Sequence, residues 1–246
     1  FIMCFMKIFP SLKNVLLSII PKFISTKVYL FRRRKYYGQR FIDFDIKKYL
    51  NFEKGFFIEM GAMDGVTYSN TFHLEKYKNW TGILVEPSKS QFEFCKLNRP
   101  SSKVFNCLCS SFENSDKEFL FYEMGAMSYS KFQNTDNDYL SHHENAKKIL
   151  GNYSEIENSY YVKTKTVTEL LDSVDSPEII NFFSLDVEGS ELEVLNGFDF
   201  NKYKIQYLLI ETRNYERTNK YLIDLGFKYI DSIDKNNLLY SHEFFN

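Results

Sequence analysis

Cysteine is scarce in this chain and shows no pairing pattern. Four residues, Cys4, Cys95, Cys107 and Cys109, are spread over 246 positions without a CxxC spacing. That argues against a disulfide scaffold or a zinc site and leaves the thiols as reduced packing residues of a cytosolic-type protein. Long apolar runs are missing too. No stretch of about 18 uncharged apolar residues occurs, so a transmembrane helix is not expected. The apolar part of the N-terminus is not followed by a small-residue cleavage site, which argues against a secretory signal. Internal repeats and low-complexity tracts are absent. Hydrophobic residues make up 44% of the chain, with 25 Phe and 18 Tyr, enough for a core and too many for global disorder.

Acidic residues are absent from residues 1–42, which carry nine basic ones, Lys7, Lys13, Lys22, Lys27, Arg32, Arg33, Arg34, Lys35 and Arg40. The remainder holds 22 basic residues against 32 acidic, a net charge of −10, which suits nucleic acid poorly. The length fits a basic N-terminal extension, 1–42, and one α/β domain, 43–246. Lysines mixed with Phe, Ile, Leu and Val in the extension leave two readings. It is an interfacial segment drawn to anionic lipid, making the protein cytoplasmic and peripheral to a membrane, or it is a set of helices packed beside the domain.

From residue 56 strand and helix patterns alternate. FFIEM (56–60) reads as a buried strand, Ser69–Lys78 as a helix, and TGILVEP (81–87) as a second strand. Helical spacing at Phe92, Cys95 and Lys96 stops at Pro100, and SKVFNCLCS (102–110) reads as a third strand. KEFLFYE (117–123) suits an extra strand of an inserted hairpin, and the polar stretch 134–159 suits a loop or exposed helix, a candidate lid. VKTKTVTELLDSV (162–174) leads into a helix capped at Thr168. EIINFFSLDVEG (178–189) is the clearest buried strand, followed by a helix over 190–198, a strand over 205–211 and a helix over 217–225. FKYIDSI and NNLLYSHEF close the chain as a hairpin around Asp234–Asn237. The pattern predicts a doubly wound, mostly parallel sheet to which the hairpin adds an antiparallel edge.

The turn GAMDG, Gly61–Gly65, follows the first strand, where glycine lets the backbone pass close to a ligand. It is not GxGxxG, and Asp64 would repel a pyrophosphate, which disfavours a dinucleotide. Four acids, Glu59, Glu86, Asp186 and Glu211, end predicted parallel strands and so share the sheet edge where ligands bind. Glu86 can accept both hydroxyls of a ribose, and Glu59 and Asp64 can hold an amino group, with Gly61 and Ala62 along its backbone path. Ser110 and Ser111 follow the third strand. Ser69 caps the helix after the turn. His142 and His143 read as solvated loop residues rather than as a base contributed by a lid.

GAMDGVTYSNTFHLEKYKNWTGILVEPS (61–88), GAMS (125–128) and FFSLDVEGSELEVLNGFDF (182–200) together resemble the FkbM-type methyltransferases, over roughly residues 40–230. Met63 departs from the family pattern, where a polar residue is more usual. The resemblance implies a seven-stranded, class I, Rossmann-like sheet, S-adenosylmethionine as cofactor, and methylation of a hydroxyl oxygen on a sugar, glycan or related small molecule. On that reading Glu59, Gly61, Ala62, Asp64, Gly65, Glu86 and Ser110 bind the cofactor. Asp186 is the base or acceptor orienter with Glu188 beside it, and no metal is required. Glu188 and Glu191 have a plainer reading as caps of the following helix. A competing function is a non-catalytic, methyltransferase-like binding or trafficking module at a membrane surface.

Overall fold

The computed structural model describes residues 35–132, 138–150 and 158–245. Tyr37–Asn246 is one compact unit; the other, Phe1–Tyr36, lies almost wholly outside the described residues, as does most of the basic extension. No helix among the described residues is long and apolar enough to cross a membrane.

The elements follow the hydrophobic pattern. Helix α1 (Ile42–Ile46) precedes strand β1 (Phe56–Met60), helix α2 (Phe72–Lys78), strand β2 (Thr81–Val85) and helix α3 (Lys89–Asn98). Strands β3 (Lys103–Phe105) and β4 (Leu108–Cys109) come next, then β5 (Glu118–Glu123), β6 (Tyr129–Ser130), helix α4 (Tyr139–Leu150) and β7 (Asn158–Lys165). The chain finishes with α5 (Val167–Asp172), β8 (Ile179–Leu185), α6 (Glu191–Leu195), β9 (Lys204–Glu211), α7 (Tyr215–Asp224), β10 (Phe227–Ser232) and β11 (Asn237–His242).

Seven strands form the main sheet in the order β10-β11-β9-β8-β1-β2-β3. Pairings β3–β2, β2–β1, β1–β8 and β8–β9 are all parallel. Alternate residues of a strand face opposite sides, and here the two sides feed separate cores. Ile58, Met60, Ile83 and Val85 pack with Leu170 of α5, Leu192 of α6 and Leu222 of α7. Phe57 and Leu84 face the other way, toward Ile42 and Ile46 of α1, Leu74 of α2 and Cys95 of α3. The sheet is therefore covered on both faces, as the sequence predicts.

The closing hairpin forms at the sheet edge and brings the antiparallel pairings there, and the Asp234 carboxylate accepts the amides of Asn236 and Asn237 at its turn. Strand β11 inserts between β9 and β10, antiparallel to both, so the edge strand β10 runs in the same direction as β9. Burial explains the choice: NLLYS of β11 is buried at every position, while four of the six residues of β10 are exposed. Two expectations need correction. The third strand is broken at Asn106, whose side-chain amide donates to the carbonyls of Glu86 and Pro87. Beyond it β4 leaves the main sheet for a second one, ordered β4-β7-β5-β6, which also absorbs the predicted hairpin strand. Helix α5 is capped by Thr166, not Thr168. Thr166 Oγ1 accepts from the Glu169 amide and Glu169 accepts from the Thr166 amide, a reciprocal cap readable in T-x-x-E.

Candidate active site

The chain winds one way from β1 to β2 and the other way from β8 to β9, so a crevice opens at the carboxyl ends of β1 and β8. A cavity of about 410 Å³ occupies it. Gly61, Glu86, Asp186, Glu188 and Glu211 line its floor, and Gly125–Ser128, Tyr129 and Phe132 of the second sheet line its far wall.

Gly61 sits at φ +76°, and a Cβ there would fall 2.3 Å from the Asp186 carbonyl oxygen. The turn after β1 thus lies directly against the end of β8, a cradle that only glycine permits. Glu86 is buried at the end of β2, with Oε2 accepting the Met63 amide at 2.7 Å and Oε1 the Ser88 amide at 2.8 Å. Each oxygen keeps a second lone-pair direction, the acceptor pair that a ribose diol needs. Burial, helped by the Glu123 charge and opposed by those two amides, pushes its pKa up to about 7.

Other predicted cofactor residues make bonds within the protein. Glu59 borders the cavity, but period two sets it on the α2–α3 side of the sheet with Phe57. There it accepts from Ser69 Oγ at 2.8 Å, Thr71 Oγ1 at 2.6 Å and the Asn70 amide at 2.7 Å, and it pairs with Arg99 at 3.3 Å. Asp64 accepts the amides of Val66 and Thr67 and the Thr67 hydroxyl, so it shapes its own turn. Ala62 is buried, its amide donating to Val85 O. Gly65 backs onto Arg99 and Cys95. Ser110 is fully buried and donates to Glu193 Oε1 at 2.7 Å. Ala62, Asp64, Gly65 and Ser110 are therefore not among the cavity-lining residues.

Asp186, Glu188 and Glu211 do converge, with one carboxylate oxygen from each within 4.8 Å of the others. Asp186 is exposed on the side that opens onto the cavity, and Glu188 and Glu211 crowd its carboxylate. Desolvation, then the charges of Glu211, Glu188 and Glu191, holds its pKa well above the usual carboxylate range. Glu188 takes a left-handed conformation, φ +58°, and accepts from Arg213 Nη2 at 2.6 Å. Desolvation raises its pKa too, with Glu211 adding and Arg213 opposing. Glu191 Oε1 accepts the Val187 and Gly189 amides, which precede α6, and so ties down the loop after β8; the N-cap position is Ser190, whose side chain makes no capping bond.

The sequence missed several participants. Arg99 is wholly buried; it binds Glu59 and Glu75 and donates to Gly65 O, Ser69 Oγ and Thr71 Oγ1. Its signal was hidden in a segment read as a helix stop. His142 is not solvated as expected but 5% exposed, and Nε2 lies 3.0 Å from Met127 O in the GAMS turn. A carbonyl only accepts, so Nε2 carries the proton, and Nδ1 faces Glu188 Oε2 at 3.8 Å. His143 Nδ1 meets the Tyr129 hydroxyl at 3.1 Å. Helix α4 is thereby fastened over the acid cluster; the rest of the predicted lid, 134–137 and 151–157, lies outside the described residues.

Comparison with known proteins follows the same lines. The chain matches the Methyltransferase FkbM domain over residues 59–229. No curated protein matches it. Among solved structures it is similar to a precorrin-6y C5,15-methyltransferase from Geobacter metallireducens, at 9% identity and TM-score 0.43, covering 82% of this chain and 88% of that one. Aeropyrum pernix fibrillarin, in complex with natively bound S-adenosyl-L-methionine, gives 12%, 0.42, 77% and 67%. A SAM-dependent methyltransferase from Aquifex aeolicus gives 11%, 0.39, 85% and 91%. Values this low add nothing to the family match, which spans well over half of the sequence. By that match, and with a glycine cradle and a strand-end carboxylate suited to an adenosine, the chain belongs to the FkbM methyltransferase family and uses S-adenosylmethionine as its cofactor.

Proposed function

We propose that this protein is an O-methyltransferase whose acceptor is a hydroxyl of a sugar, glycan or related small molecule. The observation that carries the proposal is the convergence of Asp186, Glu188 and Glu211 on the cavity beside the Gly61 turn. Bound S-adenosylmethionine supplies a methyl group already activated by its sulfonium. What this chain adds is alignment and a proton acceptor. Asp186, with its raised pKa, is a stronger base than an ordinary carboxylate and takes the proton of the attacking hydroxyl. Glu188, fixed by Arg213, and Glu211 offer acceptor oxygens for neighbouring hydroxyls of a polyol. Met127 and Tyr129 present apolar surface to the carbon face of a ring.

The test is incubation with methyl-labelled cofactor and extracted glycans, with Asp186→Asn alongside. The expected result is labelled product from the wild type and a loss of about 10²–10⁴-fold in the variant. Affinity for S-adenosylhomocysteine, read by calorimetry, should stay within about twofold, since Asn keeps the shape and the ribose carboxylate is elsewhere. Equal loss of transfer and binding would move Asp186 into cofactor binding or folding and remove it as the base.

A further inference from the structure

Glu123 ends β5 in the second sheet, outside the main α/β layer, and no step described so far uses it. Its carboxylate accepts a hydrogen bond from Ser88 Oγ and a longer one, at 3.4 Å, from Ser90 Oγ. Ser88 is the N-cap of α3, its Oγ accepting the Gln91 amide at 3.3 Å, and its own amide donates to Glu86 Oε1 at 2.8 Å. A hydroxyl has one proton. With that proton committed to Glu123, the lone pairs of Ser88 Oγ are turned toward the helix and its backbone is held in one orientation. Glu86 is thus gripped from two sides, by the Met63 amide of the cofactor turn and by a serine that the second sheet anchors.

We propose that Glu123 is a positioning residue for the cofactor: through Ser88 it fixes the direction in which the Glu86 carboxylate meets the ribose. The proposal rests on Glu86 as the ribose acceptor. It gives the second sheet a part in cofactor binding as well as in walling the cavity. The two carboxylates also feel one another, because the charge on Glu123 is one of the causes that raise the Glu86 pKa. Other titratable or charged groups near this pair are Tyr160 of β7 and Lys89 and Cys95 of α3. Ribose hydroxyls donate to the ionised form of Glu86. S-adenosylhomocysteine should therefore bind more tightly as pH rises through about 7, where Glu86 loses its proton.

Calorimetric titration of the full chain with S-adenosylhomocysteine from roughly pH 5.5 to roughly pH 9, which brackets the Glu86 pKa of about 7, tests this. Glu123→Gln keeps the side-chain shape and an acceptor but removes the charge, so the midpoint of the pH dependence should move down. Glu123→Ala should weaken binding about three- to tenfold at pH values where Glu86 is fully ionised, with the unfolding midpoint little changed. A purely structural role would not move the Glu123→Gln midpoint. Glu86→Gln separates the two layers of the argument. Wild-type affinity in Glu86→Gln would overturn the ribose assignment and the role of Glu123 with it. Weakened binding in Glu86→Gln, together with an unmoved midpoint in Glu123→Gln and wild-type affinity in Glu123→Ala, would overturn the role of Glu123 alone.

Discussion

Asp186 titrates in a crowd of like charges, and that single fact governs two measurements. As the proposed base it must be ionised, and its pKa is held well above the ordinary carboxylate range by desolvation and by Glu211, Glu188 and Glu191. The acid limb of kcat/KM should therefore lie above the usual range for a carboxylate, about 4, and belong to the cluster as a unit. Stability follows the opposite sign. A carboxylate whose folded pKa is raised contributes stability below its unfolded pKa and loses it as pH rises through the folded value. Asp186→Asn should accordingly unfold at a higher temperature than the wild type at pH 8, with the gain shrinking toward pH 4, as thermal melts across that range would report. A variant that melts lower at pH 8 would show that the Asp186 charge is compensated in the free protein.

At the scale of elements, the turn after β1 is held from behind. Arg99, just past α3, meets Glu59 of β1 and Glu75 of α2 with side-chain exposures of 0%, 5% and 7%. It also donates to Gly65 O at the end of the turn after β1. Removing one member of such a buried set leaves uncompensated charge. Arg99→Met should cost about 3–5 kcal/mol in urea unfolding. A cost under about 1 kcal/mol would mean that water or rearrangement compensates the two acids. Sequence patterning recovered the elements themselves well, from the FFIEM strand to the helix over Tyr215–Asp224. It misjudged ends and breaks, such as the Thr166 cap and the split at Asn106, because those depend on which side chain finds a partner across space.

For the whole molecule, the unit Tyr37–Asn246 contains the sheet, both cores and every residue that lines the cavity. A fragment of residues 37–246 should therefore unfold cooperatively and bind S-adenosylhomocysteine as the full chain does. Failure to fold would assign the basic extension a part in the domain's stability. Lipid-vesicle sedimentation of the full chain against this fragment addresses the extension directly. Binding that needs residues 1–36 and weakens with salt is the outcome expected of a segment attracted by charge.

The sequence by itself determined the layered α/β class and the glycine turn after the first strand. It also placed Glu86 and Asp186 at strand ends, because strand and helix periodicities and a glycine's freedom are local properties. Only the tertiary structure decided what each acid does. Glu59 and Asp186 look alike in sequence, each closing an apolar strand. Yet the first points beneath two helices into the grip of Arg99, while the second meets Glu188 and Glu211 at an open cavity. The placements of Glu123 and His142 were equally unreadable in advance. Both come from a second sheet and helix whose partners stand far away in the chain, and a carboxylate or imidazole takes its charge and direction from what folding sets beside it.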